Sequence, residues 1–371
     1  MTSSPRPRLS SRLPDFPWDT IADAKARAQS HPDGIVDLSV GTPVDPTPQV
    51  VQDALAHATD AHGYPTVWGP ASLRQAIIEH LHDRWNTPVL PEQGVLPVIG
   101  TKWLVAWLPT LLGLTSSDTV VIPTTAYPTY RVGAELIGAT VVECDDPAEL
   151  GDLRPGLVWI NSPANPHGAI LSREQVQGWV TYAREVGAVL ASDECYGEFA
   201  WDAEPTSVLD ADICGGDPTG LLVAHSLSKQ SNMAGYRAGF VAGDPEIVTE
   251  LLGLGKHTGM MLAAPILAAM EVALRNRGHV DEQRERYRAR RAVMREALER
   301  AGFTLDHSEG SIYLWATRGE DCRASVDWLA DRGILVAPGD FYGEAGRLHV
   351  RVGLTASDER IAAAAARLSD A

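Results

Sequence analysis

The stretch LLVAHSLSKQSNMAGYRAGFVAG, Leu221 to Gly243, closes an apolar run on two serines and a lysine, then resumes an apolar run after an arginine. LLVAHS reads as a strand buried on both faces, the pattern of a parallel sheet covered by helices, and AGFVAG reads as a further strand. Ser226, Ser228, Lys229 and Arg237 then lie beyond strand ends. In open parallel sheets ligands bind outside the carboxyl ends of the strands, so the stretch predicts a binding edge as well as a fold.

Outward from it, four more short apolar runs alternate with helical patterns: TVVIP (Thr119 to Pro123), ATVVE (Ala139 to Glu143), LVWIN (Leu157 to Asn161) and AVLAS (Ala188 to Ser192). Between the last two, Val176, Trp179, Val180, Ala183 and Val186 recur at helical spacing behind a Ser172 cap with Gln175 at the capping-box position. The class is α/β, a mostly parallel central sheet flanked by helices. After Asp244 long helical stretches follow, among them DEQRERYRARRAVMREALERAG, which reads as a largely solvated helix face. FTLDHSEGSIYLWA, ASVDWLADRG, ILVAPG and RLHVRVGL then read as a smaller α+β domain. The expected organisation is an arm over 1–15, possible disorder included, a large domain over 42–262, and a small domain over 16–41 and 263–371.

The chain has 371 residues with 31 Lys plus Arg against 48 Asp plus Glu, a net charge of -17. Such a surface repels nucleic acid and anionic membranes, so neither is expected as a partner. Cys144, Cys195, Cys214 and Cys322 show no C-x-x-C pairing and read as buried free thiols, with no metal site expected. No secretory leader or long apolar span is recognisable, which makes the cytoplasm the expected location. Neither G-x-S-x-G nor H-E-x-x-H occurs, against a hydrolase of those kinds.

Polar residues follow three runs in series. LVWIN delivers Asn161 and then Asn165; AVLAS delivers Asp193 and Tyr196; LLVAHS delivers Ser226, Ser228 and Lys229. A carboxylate directly after an apolar strand is costly to bury alone, so Asp193 calls for a cationic partner; taken singly it reads equally as a cap or a core ion pair. A desolvated Lys229 amine can condense with an aldehyde, although a lone lysine is ordinarily a surface residue. Arg237 with Ser226 and Ser228 suits a phosphate dianion, and Gly100, Thr101 and Lys102 stand before the helical pattern WLVAWLPTLL, where backbone N–H groups suit the same phosphate. Tyr127 in TTAYPTYR either stacks on a planar ring or packs a helix. An aldehyde, a ring nitrogen needing a carboxylate, a phenolic oxygen needing donors and a phosphate together describe pyridoxal 5′-phosphate.

At this point the chain resembles the class I and II aminotransferases of the fold-type I pyridoxal-phosphate family. The resemblance spans DLSVGTPVDPTP to RVGL and is carried jointly by YPTVWGPASLRQAI, GTK, AYPTY, NSPANPHG, SDECYGEF, SLSKQSNMAGYRAGF and LHVRVGL. It implies that Lys229 holds the cofactor aldehyde and shuttles the α-proton, and that Asp193 keeps the ring nitrogen protonated. Asn165 and Tyr196 would bind the phenolic oxygen, and Tyr127 would stack on the ring. Gly100, Thr101, Lys102, Ser226, Ser228 and Arg237 would hold the phosphate, with Tyr64 entering from the partner of a homodimer. Arg351 would clamp the substrate α-carboxylate under the backbone of Gly41.

A narrower resemblance rests on SKQSNMAGYR, which is similar to the N-succinyldiaminopimelate aminotransferases. It implies glutamate as donor and N-succinyl-2-amino-6-oxopimelate as acceptor, giving N-succinyl-LL-2,6-diaminopimelate for lysine and cell-wall synthesis. A second anion site is expected near Lys102, Arg131 or His62, Arg131 reading also as a surface ion pair. The alternatives are another amino-acid transaminase, a C–S β-lyase on the same cofactor, or a cofactor-binding regulator, against which stand the acidic chain and the lack of a helix-turn-helix segment.

Overall fold

The computed structural model describes Leu13 and residues 17–369. The expected arm over 1–15 lies, Leu13 apart, outside the described residues. Seven strands form the central sheet: β1 (Val95–Ile99), β2 (Thr119–Ile122), β3 (Thr140–Glu143), β4 (Leu157–Asn161), β5 (Val189–Asp193), β6 (Leu221–Ser226) and β7 (Ala238–Gly243), in the order β1-β7-β6-β5-β4-β2-β3. The α/β class is the expected one, with one strand reversed. β7 runs antiparallel to both β6 and β1. The connection over 227–237 is shorter than the roughly dozen residues a parallel crossover needs, so the chain can only turn back. β1, missing from the strands expected from sequence, pairs with β7 at the sheet edge and contains Pro97, which an edge tolerates because it has no N–H to lose there.

Alternation along the strands divides the core in two. Val121, Val158, Ile160, Leu190 and Val223 pack on one face; Val120, Leu157, Trp159, Ala191 and Leu222 pack on the other. The helices that matter to the site are α1 (Gln49–His57), α2 (Ala71–Trp85), α3 (Thr101–Leu111), α4 (Thr129–Ile137), α5 (Arg173–Val186) and the single turn α6 (Leu227–Gln230). α5 starts on the capping box read from sequence: Ser172 Oγ accepts from Gln175 N at 3.3 Å, and Gln175 Oε1 accepts from Ser172 N at 2.9 Å.

A second body is built on β8 (Thr304–Leu305), β9 (Tyr313–Thr317), β10 (Ala337–Pro338) and β11 (His349–Gly353), antiparallel in the order β10-β11-β9-β8. Val36–Asp37 pairs in parallel with Ile334–Leu335 beside it. The helix α7 (Ala264–Arg275) puts Leu267, Met270 and Leu274 into the large core, against α1 and α2.

The charged run proves less solvated than its composition suggests. In α8 (Gly278–Arg300), Gln283, Tyr287, Arg290, Met294 and Ala297 form a buried stripe at alternating steps of four and three. Arg290 survives in that stripe because its charge is matched: Nη2 and Nη1 lie 2.7 and 2.8 Å from the two oxygens of Asp45, and Nε donates to Asp358 Oδ1 at 2.7 Å, at the start of α9 (Asp358–Ser369). Removing one partner of a buried pair strands the other charge. Arg290→Leu is therefore expected to cost about 3–5 kcal/mol, seen as a lower urea midpoint, with much of the loss recovered when Asp45→Leu is added.

Candidate functional site

The strand register assembles one edge of the site. Asn161 pairs with Asp193 across β4 and β5, so these two strands stop level, and Asp193 pairs with Ala224 on β6, which runs two residues further to Ser226. Asn161 serves as scaffold there: Nδ2 donates to the Asp193 carbonyl at 2.7 Å and to the Pro163 carbonyl at 3.2 Å, while Oδ1 accepts from Asn165 N at 2.7 Å. Asn165 is thereby presented to Arg351 on β11, whose Nη1 donates to Asn165 Oδ1 at 2.8 Å. Arg351 is 3% exposed, donates through Nη2 to the Ser39 carbonyl at 2.7 Å, and lies with Cζ 3.9 Å over the ring of Tyr313.

Asp193, the last residue of β5, is buried. Tyr130 donates its hydroxyl to Oδ2 at 2.9 Å, and the Cys195 amide donates to Oδ1 at 3.2 Å. Burial pushes this carboxyl above its ordinary range, and the donors from Cys195 and Tyr130 pull against that rise. No ion pair neutralises it among the described residues, so the cation expected from sequence is not one of their side chains.

Lys229 occupies α6, whose start is capped by Ser226 Oγ accepting from Ser228 N at 3.2 Å. Its Nζ donates to the carbonyl of Gly41. Burial holds the amine below the usual lysine value; the phenol of Tyr313 opposes this, and the charges of Arg351 and Arg237 reinforce it. The neutral, nucleophilic form is thus populated at lower pH than for a free lysine. Tyr196 and Tyr313 face each other with hydroxyls 3.3 Å apart. Burial pushes Tyr196 well up; in Tyr313 the positive charges of Arg351 and Lys229 outweigh burial and bring the phenol down.

A cradle of opposite character closes the other end. Gly100 caps α3 at φ 73°, and a Cβ there would strike the guanidinium of Arg237. Arg237, itself left-handed at φ 58°, donates through Nη1 to the Ala234 carbonyl at 2.9 Å. Thr101, Ser226, Ser228 and Arg237 border a common cavity of about 620 Å³, also lined by Gly41, Lys102, Tyr127, Asn165, Asp193, Tyr196, Lys229 and Arg351.

Gly100 stands behind that lining, and Tyr64 is 99% exposed, outside it. Arg131 pairs with Glu143 and Glu135, and His62 with Asp60 at the surface, so of the three candidates for a second anion site only Lys102 reaches the cavity. Cys144, Cys214 and Cys322 are buried, whereas Cys195 is half-buried at the cavity wall, its thiol 3.4 Å from Thr101 Oγ1. In QSNMAGY, Asn232 turns away from the cavity, donating to Gln283 Oε1 at 2.9 Å and to the Pro46 carbonyl at 3.2 Å; Ala234 and Gly235 line it. The reading of that motif as a substrate clue therefore loses its central residue to a structural role. Tyr130 and Tyr313 were missed, because a tyrosine in an apolar helix or strand reads as core.

The donor set suits pyridoxal phosphate. An uncompensated buried carboxylate fits a protonated ring nitrogen, a desolvated amine fits its aldehyde, and a helix start with an arginine and hydroxyls fits its phosphate. No group of acidic, histidine or cysteine side chains able to hold a metal occurs among the described residues, and no described helix is long and apolar enough to cross a membrane.

Comparison with known proteins agrees. The family model for aminotransferase class I and II matches residues 33–368. The probable aminotransferase Rv1178 of Mycobacterium tuberculosis is 57% identical over 361 residues, 97% of this chain and 86% of that protein. The 4-dedimethylamino-4-oxo-anhydrotetracycline transaminase OxyQ of Streptomyces rimosus is 54% identical over 357 residues, 96% and 99% of the two chains. Among solved structures, a probable N-succinyldiaminopimelate aminotransferase from Thermus thermophilus superposes with a TM-score of 0.85 at 25% identity, covering 96% of this chain and all of that one.

Two outcomes are expected of the cradle and the amine. Arg237→Leu raises the dissociation constant for pyridoxal phosphate roughly ten- to a hundredfold in equilibrium dialysis, and an unchanged constant removes Arg237 from the cradle. The rate at which the apoenzyme takes up pyridoxal phosphate through Lys229 rises with pH around a midpoint below that of a free lysine side chain, because the depressed value leaves the amine neutral earlier.

Proposed function

We propose, since this chain belongs to the class I and II aminotransferases, that it carries an amino group from glutamate to N-succinyl-2-amino-6-oxopimelate, giving 2-oxoglutarate and N-succinyl-LL-2,6-diaminopimelate. The observation that carries the amino-transfer chemistry is the buried Lys229 amine in one cavity with Asp193, Tyr196, Arg237 and Arg351. Pyridoxal phosphate, on which the family depends, supplies when bound an aldehyde for the amine and a ring that withdraws electrons from the substrate α-carbon.

The chain's own residues do the rest. Lys229, in its neutral form, would take the proton from the substrate α-carbon and return it to C4′ of the cofactor, the carbon that bears the aldehyde. Asp193 keeps a proton on the ring nitrogen, at the position where Tyr130 and the Cys195 amide fix its oxygens. Asn165 and Tyr196 hydrogen-bond the phenolic oxygen, and the face of Tyr127 covers the ring. Arg351 takes the α-carboxylate in a two-pronged bond, and burial among rings makes that bond stronger than one in water. Lys102, exposed at the cavity rim and 5.9 Å from the centre of the Tyr127 ring, supports the choice of an acceptor with a second carboxylate. The exposed Tyr64 supports a homodimer in which it completes the partner's phosphate site.

A second acceptor class, a ketone on a polycyclic ring, is favoured by the 54% identity to the tetracycline-pathway transaminase and by Trp18 and Val40 in the cavity lining. A spectral titration separates the readings. The holoenzyme's visible band is expected to bleach with glutamate and to return with the succinylated oxo acid, and otherwise only with 2-oxoglutarate, the oxo acid of the glutamate half-reaction itself. Return with an anhydrotetracycline ketone instead transfers the assignment to the second class, and pyruvate released from cystathionine marks a β-lyase. Lys229→Ala is expected to lose both the band and the reaction.

A further inference from the structure

Tyr313 brings a second phenol into the site from the small body. It is 3% exposed and touches three functional groups at once. Its hydroxyl stands 3.3 Å from that of Tyr196, with ring centroids 5.7 Å apart at 68°. Its face carries the Arg351 guanidinium, Cζ lying 3.9 Å from the ring centre. Its oxygen also abuts Gly41, where a Cβ would collide with it, and Gly41 holds the Lys229 amine through its carbonyl.

Packing alone accounts for a ring at this position but not for a hydroxyl. A buried hydroxyl costs free energy unless bonded, and this one is satisfied by Tyr196. We infer that Tyr313 is a positioning residue with two separable roles: its hydroxyl donates to Tyr196 and strengthens the bond that Tyr196 gives the cofactor phenolic oxygen, and its ring face sets the plane in which Arg351 meets a carboxylate. The inference rests on the aminotransferase reading. The direction of the bond follows from the proton count: a tyrosine hydroxyl has one proton, Tyr196 commits its own to the cofactor phenolic oxygen, and the donor left between the two phenols is Tyr313. A donor chain of this kind polarises its second member, so Tyr196 donates more strongly than a solitary tyrosine. Arg351, carried on an aromatic face out of water, gains an attraction that fixes its tilt without occupying any N–H.

The test uses holoenzymes of the wild type, Tyr313→Phe, Tyr313→Met and Tyr196→Phe, each read in two ways: the pH midpoint of the visible band, and the dissociation constant of 2-oxoglutarate for the pyridoxal form. A weaker bond to the phenolic oxygen leaves more negative charge beside the imine nitrogen, so Tyr313→Phe raises the band midpoint, by roughly half to one pH unit, and leaves 2-oxoglutarate binding within about twofold. Tyr313→Met, which lacks the ring as well, weakens 2-oxoglutarate roughly tenfold. In a Tyr196→Phe background, adding Tyr313→Phe moves the midpoint no further. An unmoved midpoint in Tyr313→Phe, or a loss of 2-oxoglutarate affinity as large in Tyr313→Phe as in Tyr313→Met, overturns the division of roles. A wild-type enzyme that no amino donor bleaches defeats the aminotransferase reading itself, whereas bleaching in the wild type with both Tyr313 readouts unmoved defeats only this inference.

Discussion

One buried guanidinium ties the site together. Arg351 reaches the Ser39 carbonyl, the Asn165 side chain and the Tyr313 ring, three segments far apart in the chain, and it does so at 3% exposure without a carboxylate partner among the described residues. Its counterpart is Asp193, a buried carboxyl that among the described residues is held by neutral donors. Either charge alone is expensive to desolvate, and the ordinary remedy is to pair the two. Here they are kept apart, each supported by dipoles rather than by an ion of opposite sign. The fold thus carries an electrostatic cost in advance, which a ligand with a cationic ring end and an anionic acid end relieves.

The short connection over 227–237 is the second constraint. Within it the chain must end β6, present Lys229, reverse direction and start β7 antiparallel. Asn232 at φ 49° and Arg237 at φ 58° supply left-handed turns, which asparagine adopts readily and arginine uncommonly. Asn232 is anchored to Pro46 and Gln283, and Arg237 to Ala234. Left-handed backbone, buried amine and the serines and arginine proposed for phosphate therefore share one loop, which is why one stretch of sequence suggested so much of the chemistry.

Legibility followed physical cause. Strand ends could be read because burial on both faces forces an uninterrupted apolar run, and the polar residue that breaks it must stand at the edge. Direction could not be read, since an apolar run is the same forwards and backwards; β7 needed the length of its connection to betray it. The edge strand with Pro97 and the buried stripe of α8 were hidden by composition, one by an imino acid, the other by charges that three-dimensional pairing later neutralises. Aromatic residues were the deepest blind spot. Tyr130 and Tyr313 sit in apolar company, and only a structure separates a hydroxyl that reaches Asp193 or Tyr196 from one that merely fills space.

The small parallel pairing of Val36–Asp37 with Ile334–Leu335 has a mechanical meaning. It fastens the segment bearing Ser39 and Gly41 to the same body as Tyr313 and Arg351, while Asp193 and Lys229 stay rooted in the central sheet. Under the function proposed above, the first group would hold an acid and the second would work on the carbon beside it, and the Lys229 bond to Gly41 joins the two. On the proposed reading, the residues that would choose the acid and those that would handle the proton thus belong to separate elements, and the first set can vary in sequence without the second.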